Sequence, residues 1–172
     1  MAWPSGGSLL NPFQEIAHMH VVVLGCGRTG STLARLLLQR GHSVAIIDRS
    51  RDAFRRYLGP TFEGSLVVGL GIDQDVLRKA GIERADVFLA LTGGDNTNIT
   101  AAQIVKTWFA VPKVLCRVHD PLRADAYREM GIDTLCTTDL VVGMLFDFAL
   151  GNSWDKTVSE YLESPVRPEV EL

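Results

Sequence analysis

Short, almost purely apolar runs alternate with longer segments of mixed polarity from His20 onward. The runs recur at intervals of roughly twenty to twenty-five residues, which indicates repeated strand–helix units. They are Val21–Leu24, Val44–Ile47, Leu66–Val68, Val87–Leu91, Val114–Val118 and the weaker Thr134–Cys136. Strands that are apolar at nearly every position are typical of a parallel sheet buried on both faces. The pattern therefore predicts a six-stranded parallel sheet with crossover helices on both of its faces.

Glycines close three of the segments between the runs, at Gly41, Gly81 and Gly131. A glycine at such a position favours the left-handed backbone conformation that ends many helices. In a doubly wound, Rossmann-like sheet the strand order reverses after the third strand. If it does so here, a ligand crevice opens over the carboxyl ends of the first and fourth strands, and the loops at that edge are the candidate functional loops.

The loop after the first predicted strand contains three glycines at the spacing of a dinucleotide-binding turn, Gly25, Gly27 and Gly30. In such a turn the first glycine allows a sharp bend, the second lets a pyrophosphate approach the backbone, and the third lets the helix pack against the sheet. Unpaired N–H groups and the helix dipole favour an anion at the start of the helix. The alternative is a tight strand-to-helix turn without a ligand.

Asp48 ends the second predicted strand, about twenty residues beyond the glycines. Its carboxylate can accept hydrogen bonds from a ribose 2′-hydroxyl, or it can simply cap the next helix. An acid would repel a 2′-phosphate, so NADP is disfavoured even though Arg49 and Arg51 follow closely. NAD and ATP share the adenosine and the first phosphates, and this region does not distinguish between them.

Flexible or polar residues follow the third and fourth strands. Gly69 and Leu70 come after the third strand, where glycine permits close approach of a base and Leu70 offers an apolar contact. Thr92 and Gly93 open a polar loop ahead of a helix predicted to begin near Ile99. That loop either caps the helix or also contacts ribose or phosphate.

Arg117 ends the fifth predicted strand. Its guanidinium either binds phosphate in the crevice or forms an ordinary surface ion pair. His119 follows two residues later and is the only histidine in a predicted crevice loop. It would be the proton donor if the protein were an enzyme.

The composition excludes several classes of function. With 172 residues, 47% of them hydrophobic and 22% charged, the chain is long enough for one domain with a sizeable core. The net charge of −3 gives no basic surface for a nucleic-acid partner. No apolar run approaches the eighteen or so residues of a membrane span, and the amino terminus does not resemble a signal peptide. We therefore expect a cytoplasmic protein.

The three cysteines, Cys26, Cys116 and Cys136, lie in or beside predicted strands without metal-ligand spacing. This predicts buried, reduced thiols and no metal site. Composition predicts a flexible leader over 1–18 and an acidic tail over 151–172. The predicted sheet and the dinucleotide-binding motif fall between them, which makes 19–150 the expected nucleotide-binding domain. Within the domain, the apolar segment 140–146 is either a dimer surface or part of the core.

Several stretches taken together resemble one known family. They lie at 22–30, 44–48, 76–82, 86–98 and 114–121, and the resemblance covers roughly three quarters of the chain. The family is the RCK/KTN (TrkA-N type) nucleotide-binding domain, which regulates bacterial potassium uptake systems and potassium channels. Its members commonly carry Gly-Asp-Ala after the third strand, whereas this chain has Gly69-Leu70-Gly71 and so lacks the family's acid at the adenine edge.

The resemblance implies a cytoplasmic subunit, peripheral at the inner face of the membrane, that binds NAD(H) or ATP/ADP and regulates a membrane-embedded potassium-translocating subunit. It also implies a homo-oligomer, a dimer or a gating ring, alone or with a second RCK protein. By position it assigns the phosphate loop to Gly25, Cys26, Gly27, Arg28 and Thr29, the ribose acid to Asp48, the fourth-strand contact to Thr92 and Gly93, and the fifth-strand arginine to Arg117.

Three functions remain open at this point. We favour a nucleotide-sensing regulatory module without catalytic residues, in which Arg28 senses phosphate charge because a guanidinium can bridge phosphate oxygens. An NAD-dependent oxidoreductase would need a substrate site, for which the chain has no second domain. A module that has kept the fold and lost its ligand is the third alternative, and Leu70 is the residue that favours it.

Overall fold

The computed structural model describes residues 17–151, 153 and 154. These residues fall into two units, His18–Thr138 and a second unit that contains Ala17 and the residues from Asp139 onward. Most of the predicted leader 1–18 and of the acidic tail 151–172 lies outside the described residues, and both remain expectations.

The first unit contains one parallel sheet of six strands in the order β3-β2-β1-β4-β5-β6. Its register places Val22 beside Ala45 on one side and beside Phe88 on the other. The strand order reverses after β3, so the doubly wound, Rossmann-like fold predicted from the apolar runs is confirmed. The strands are β1 (His20–Leu24), β2 (Ser43–Asp48), β3 (Ser65–Val68), β4 (Val87–Ala90), β5 (Lys113–Val118) and β6 (Asp133–Cys136).

Helices connect the strands, and two short turns of other helical types accompany them. The α4 helix begins at Asp95 rather than near Ile99 as predicted, because the extended residue Gly94 is its N-cap and Gly94 O accepts the N–H of Asn98. The elements are α1 (Arg28–Gln39), α2 (Arg51–Tyr57), α3 (Gln74–Lys79), a 3₁₀ turn (Ile82–Arg84), α4 (Asp95–Ile104), a π-helical turn (Val105–Phe109), α5 (Pro121–Glu129) and α6 (Thr137–Ala149).

Two apolar clusters cover the two faces of the sheet, because successive strand residues point to opposite sides. Val22 and Phe88 belong to the cluster that includes α3, α4 and α5. Val23 and Ile46 belong to the other cluster, which includes α1 and α2. Full burial of such side chains contributes about 1.5–3 kcal/mol each, so the sheet core is the main source of stability.

The predicted helix-ending glycines are confirmed by their backbone angles. Gly41, Gly81 and Gly131 have φ values of 82°, 77° and 80°. These angles lie in the left-handed region, where glycine carries no steric penalty from a Cβ atom.

The second unit contains most of α6. Leu140, Val141, Leu145 and Phe146 are exposed along this helix. Farther along the chain, the ring of Trp154 meets the ring of Phe148 edge-on with 5.8 Å between centroids. Within the described ranges, no helix is long and apolar enough to cross a membrane.

Candidate functional site

The glycine loop joins the end of β1 to the start of α1. Gly25 has a φ of 108°, and a Cβ atom there would lie 3.0 Å from both Leu91 C and Thr92 N. The N–H of Gly25 donates to Ile47 O at 2.7 Å. Only glycine suits this position, because a side chain would be strained by the backbone and would crowd the end of β4.

The other two glycines of the motif have different surroundings. A Cβ atom on Gly30 would lie only 2.0 Å from Gly25 O, whereas one on Gly27 would meet nothing within 4 Å. The packing role predicted for the third glycine is therefore visible in the structure. Gly27 borders open space, and the approach of a phosphate to it remains a prediction.

In the part of the chain that the structure describes, no side chain caps the amino terminus of α1. Its N-cap is Gly27, and its first turn contains no acid. Among the described residues, no acceptor is present for the N–H groups of Gly27, Arg28, Thr29 and Gly30, and the first bonded amide is that of Ser31, which donates to Gly27 O at 3.0 Å. Four N–H groups and the positive end of the helix dipole are thus free to bind an anion.

Asp48 is tied to the glycine loop as well as to its own turn. Its Oδ2 accepts the N–H of Cys26 at 2.8 Å, and its Oδ1 accepts the N–H of Ser50 at 2.8 Å. The bond to Ser50 closes an Asx-type turn ahead of α2, whose N-cap is Ser50 itself and receives no side-chain cap among the described residues. The bond to Cys26 was not foreseen from the sequence. Each carboxylate oxygen can accept more than one hydrogen bond, so these contacts leave room for a ribose hydroxyl.

Cys26 lies in this loop with a buried side chain. Burial and, to a smaller extent, the nearby charge of Asp48 together raise the pKa of its thiol to about 11, while the charge of Arg35 partly opposes them. Burial likewise raises the pKa of Cys116 to about 11, with a contribution from Asp95. All three cysteines are free and buried, as predicted for buried, reduced thiols.

The glycines after β3 are explained by packing. A Cβ atom on Gly69 would lie 2.5 Å from a methyl carbon of Val76, and one on Gly71 would lie 2.3 Å from a methyl carbon of Leu24. Core contacts with these side chains therefore favour glycine at both positions. Leu70 between them is 56% exposed, and its contact with an adenine remains a prediction.

Asn98 fastens the loop after β4 to the end of β5. Its Oδ1 accepts from the N–H of Thr92 at 2.9 Å and from the Thr92 hydroxyl at 2.7 Å. Its Nδ2 donates to Thr92 O and to Arg117 O, both at 2.9 Å. Asn98 is fully buried. Sequence reasoning missed it because the predicted start of α4 at Ile99 left Asn98 in a polar loop.

Arg117 lacks a carboxylate partner among the described residues. Its Nη2 donates to Thr92 O at 2.8 Å. Its Nε is buried and has no hydrogen-bond partner in the same part of the chain. The ordinary surface ion pair is therefore not what the structure has. Unpartnered buried donors are rare in proteins, and the crevice alternative is favoured.

The loops after β1 and β4 are in direct proximity, and the loop after β4 is bonded to the end of β5. Thr92 contacts both neighbours of its loop, because its backbone N atom lies beside Gly25 in the loop after β1 and its carbonyl oxygen accepts a hydrogen bond from Arg117 at the end of β5. This edge is the point at which the strand order reverses, where doubly wound α/β proteins place their ligands. The fold is thus the doubly wound α/β fold that is typical of nucleotide-binding proteins.

The comparison with known proteins identifies the family. The TrkA-N domain family matches residues 21–138, and the chain belongs to this family. The Trk system potassium uptake protein TrkA of Streptomyces coelicolor is 52% identical over 119 residues, which are 69% of this chain and 53% of that protein. A TrkA homolog of Methanothermobacter thermautotrophicus is 36% identical over 115 residues, 67% of this chain and 52% of that protein. The chain spans about half the length of the curated relatives it matches.

Solved structures agree with this assignment at the level of the fold. The TrkA-N domain of the inner membrane protein ybaL from Escherichia coli has a TM-score of 0.65 at 17% identity and covers 76% of this chain and 96% of its own. The Kef CTD of Shewanella denitrificans in its AMP-bound form has a TM-score of 0.65 at 21% identity, with coverage of 81% and 86%. The GsuK channel bound to NAD has a TM-score of 0.62 at 20% identity, with coverage of 76% and 23%.

Proposed function

We propose that this chain is the nucleotide-binding part of a regulatory subunit that gates a membrane potassium transporter or channel in response to NAD(H) or ATP/ADP. The curated relatives carry the name of the Trk potassium uptake system. Solved proteins with the same fold are described as bound to NAD, to ADP and to AMP. Residues 19–150 are the nucleotide-binding domain in this proposal.

The observation that carries the proposal is the set of unsatisfied donors at the carboxyl edge of β1 and β4. The N–H groups from Gly27 to Gly30 have no acceptor within the described residues, and Arg117 has no counter-ion there. Burying or fixing such groups without partners is unfavourable. A nucleotide supplies the missing acceptors, because its phosphates bring several oxygens and negative charge to one place.

The proposal assigns the parts of the nucleotide to the loops in order. The phosphates lie on the glycine loop and extend toward the loops after β4 and β5, the adenosine ribose lies on the end of β2, the base lies beside the loop after β3, and any remaining part of the ligand lies over β4 and β5. NADP is disfavoured because the carboxylate of Asp48 would repel its 2′-phosphate. The proposed contact residues are Gly25, Cys26, Gly27, Arg28, Thr29, Gly30, Asp48, Arg49, Gly69, Leu70, Thr92, Gly93 and Arg117.

Regulation by the nucleotide requires differential binding. A ligand shifts an equilibrium between two arrangements of an oligomer only if it binds one of them more tightly, and coupling of about 1–3 kcal/mol is typical. We propose a homo-oligomer, a dimer or gating ring, at the cytoplasmic face of the membrane beneath the potassium-translocating subunit. The exposed apolar side chains Leu140, Val141, Leu145 and Phe146 on α6 favour the interface alternative over core burial.

The proposal assigns no catalytic residue. Curated relatives are named as potassium uptake proteins and not as oxidoreductases, which supports a regulatory role. An NAD-dependent oxidoreductase would show NADH turnover with a panel of carbonyl compounds, and such turnover would replace the regulatory proposal with the enzymatic one.

Thermal unfolding of the whole chain with NAD, NADH, ATP or ADP tests the proposal. A ligand that binds only the folded state adds about 2.7 kcal/mol at one hundred times its Kd. We expect at least one of the four nucleotides to raise the melting temperature.

Two charge-matched variants on the same helix sharpen this test. Arg28→Gln removes an exposed charge at the amino terminus of α1, and Arg40→Gln removes one at its carboxyl end. We expect about a tenfold loss of affinity in the first, typical of one charge-assisted contact, and none in the second. Equal affinity in both variants would contradict the assigned site, and no thermal shift with any nucleotide would overturn the proposal.

A further inference from the structure

His119 follows β5 directly, and Asp95 in the first turn of α4 holds its ring. The His119 Nδ1 lies 2.8 Å from Asp95 Oδ1. Backbone N–H groups of His119 and Asp120 donate to the same carboxylate at 3.0 Å and 3.3 Å. The side chain of Asp95 is only 13% exposed, whereas that of His119 is 46% exposed. The imidazole is therefore anchored at one nitrogen and open to solvent elsewhere.

The hydrogen bonds around Asp95 determine which ring nitrogen carries the hydrogen. Burial by itself raises the pKa of Asp95, but the hydrogen bonds from His119 and Asp120 and the charge of His119 outweigh it and lower the pKa. The carboxylate is ionised at neutral pH and can only accept, so Nδ1 of His119 must donate. Nε2 then presents a lone pair when the ring is neutral and an N–H when it is protonated. Within the described ranges, Nε2 has no hydrogen-bond partner.

The position of His119 connects this ring to the candidate nucleotide site. Asp95 follows the loop Thr92-Gly93-Gly94, and Arg117 lies two residues before His119. The other three histidines of the chain lie at the opposite, amino-terminal edge of the sheet, where they precede or begin β1 and β2; they are His18, His20 and His42.

Two acidic and two basic side chains belong to the segments that adjoin His119. Asp95 from α4 and Asp120 at the start of α5 are balanced by Arg117 on β5 and Arg123 on α5, whose Nη2 donates to Asn96 Oδ1 at 2.7 Å. Burial keeps the thiol of Cys116 on β5 protonated, with a pKa of about 11. The thiol of Cys136 on β6 donates to His119 O at 3.6 Å. The proton on His119 therefore decides whether this end of the crevice is neutral or positive.

We propose that His119 is a proton-dependent contact for the anionic part of the bound nucleotide, with Nε2–H of the imidazolium donating to a phosphate oxygen. The neutral ring turns a lone pair to the same oxygen and does not bind it. This inference rests on the proposed function and adds to it that nucleotide binding takes up a proton. Affinity is highest when His119 is protonated and falls as pH rises through the range in which histidine titrates, by at most tenfold per pH unit.

Calorimetric titration of the whole chain with NADH tests the inference. The pyrophosphate of NADH does not titrate near neutral pH, whereas the terminal phosphate of ADP or ATP does, with a pKa near 6. Binding is measured between about pH 6 and pH 8 in two buffers of different ionisation enthalpy, which counts the protons taken up. His119→Gln removes the titrating group and keeps an amide donor. His18→Gln is the matched control, because His18 is exposed at the opposite edge of the sheet.

We expect the wild-type chain and His18→Gln to lose several-fold affinity from the acidic to the alkaline end and to take up as much as one proton per NADH. His119→Gln is expected to bind with little pH dependence and no proton uptake. Retention of the wild-type slope in His119→Gln, or a flat profile in the wild-type chain, overturns the inference and leaves the proposed function standing. Absence of NADH binding at every pH overturns the inference, and absence of NAD, ATP and ADP binding as well overturns the proposed function.

The imidazole signals of the wild-type chain provide a readout that needs no variant. In nuclear magnetic resonance spectra, saturating NADH should move the titration midpoint of His119 to higher pH and leave that of His18 unchanged. An unmoved His119 midpoint in the bound state would contradict a contact that depends on its proton.

Discussion

Replacing Gly30 by alanine tests the geometry of the glycine loop with a single methyl group. The new Cβ atom would lie 2.0 Å from Gly25 O and 3.3 Å from Gly25 C. A relaxed carbon–oxygen contact is about 3.3 Å or longer, so the overlap is more than 1 Å. The obstructing atom belongs to the backbone and cannot rotate away. Helix α1 must shift, or the loop that begins at Gly25 must open.

The expected size of the effect follows from two opposing terms. Overpacking of a tight site typically costs about 1–3 kcal/mol and occasionally more, and a backbone clash belongs at the upper end. Alanine regains about 0.5–1 kcal/mol through its helix propensity. We therefore expect Gly30→Ala to lower the free energy of unfolding by about 2–3 kcal/mol, a large fraction of the 5–15 kcal/mol that is typical of a domain.

Gly27→Ala is the matched control, with the same chemical change three residues earlier. Gly27 has a φ of −88°, and its Cβ atom would meet nothing within 4 Å. We expect its stability to stay within about 0.5 kcal/mol of wild type, while NADH affinity falls at least about tenfold because the methyl group enters the phosphate space. Urea unfolding at constant slope measures stability, and calorimetry measures affinity. A stable Gly30→Ala, or a Gly27→Ala that loses stability and keeps its affinity, would refute the geometric reasoning.

Four further predictions concern single side chains of the same edge. Asn98→Ala should cost about 2–4 kcal/mol in urea unfolding, because buried partners in Thr92 and at Arg117 O are left unsatisfied; wild-type stability would contradict the network. Asp48→Ala should weaken NADH binding and also lower the free energy of unfolding by about 1 kcal/mol, since the Cys26 amide loses its acceptor. Unchanged NADH affinity would show that Asp48 has only a structural role. Cys26, whose pKa is raised to about 11, should be ionised in roughly one molecule in a thousand at pH 8 and should react slowly with a thiol reagent until the chain unfolds; rapid labelling of the native protein would disagree. The pKa of Asp95 is lowered in the folded state. The stability that its charge contributes is therefore complete above the ordinary pKa range of aspartate and is lost as pH falls through the folded-state pKa. Asp95→Asn should make unfolding less sensitive to acid, and a pH profile identical to that of the wild type would contradict this prediction.

The elements of the fold were predictable because they depend on local patterns. Each of these patterns depends only on residues that are close in the sequence: the apolar runs, the glycines at helix ends and the motif from Gly25 to Gly30. The alternation of apolar runs with helical segments predicts a parallel sheet. The start of α4 was predicted four residues late. Its first turn consists of polar residues that are equally typical of a loop, and the hydrogen bond from Asn98 N to Gly94 O is needed to place it in the helix.

The contacts that shape the candidate site were harder to foresee, because they join residues far apart in the chain. The acceptor for Arg117 is a carbonyl 25 positions away, and Asp48 binds an amide 22 positions away. Gly69 was interpreted as allowing a base to approach, which stays a prediction, and the structure adds that a Cβ atom at Gly69 or Gly71 would meet the side chains of Val76 and Leu24. The sequence shows which hydrogen bonds a side chain can form, but the register of the strands decides which group it meets.

The most direct test of the central claim observes the backbone amides of the glycine loop during a nucleotide titration. In amide-resolved nuclear magnetic resonance spectra of the whole chain, the signals of Gly27, Arg28 and Thr29 should shift in a saturable manner with NADH or with an adenine nucleotide. Signals at the opposite edge, such as that of His42, should stay in place. Absence of a saturable shift in the loop with NAD, NADH, ATP and ADP at millimolar concentration, or saturable shifts confined to another surface, would contradict a nucleotide site at the start of α1.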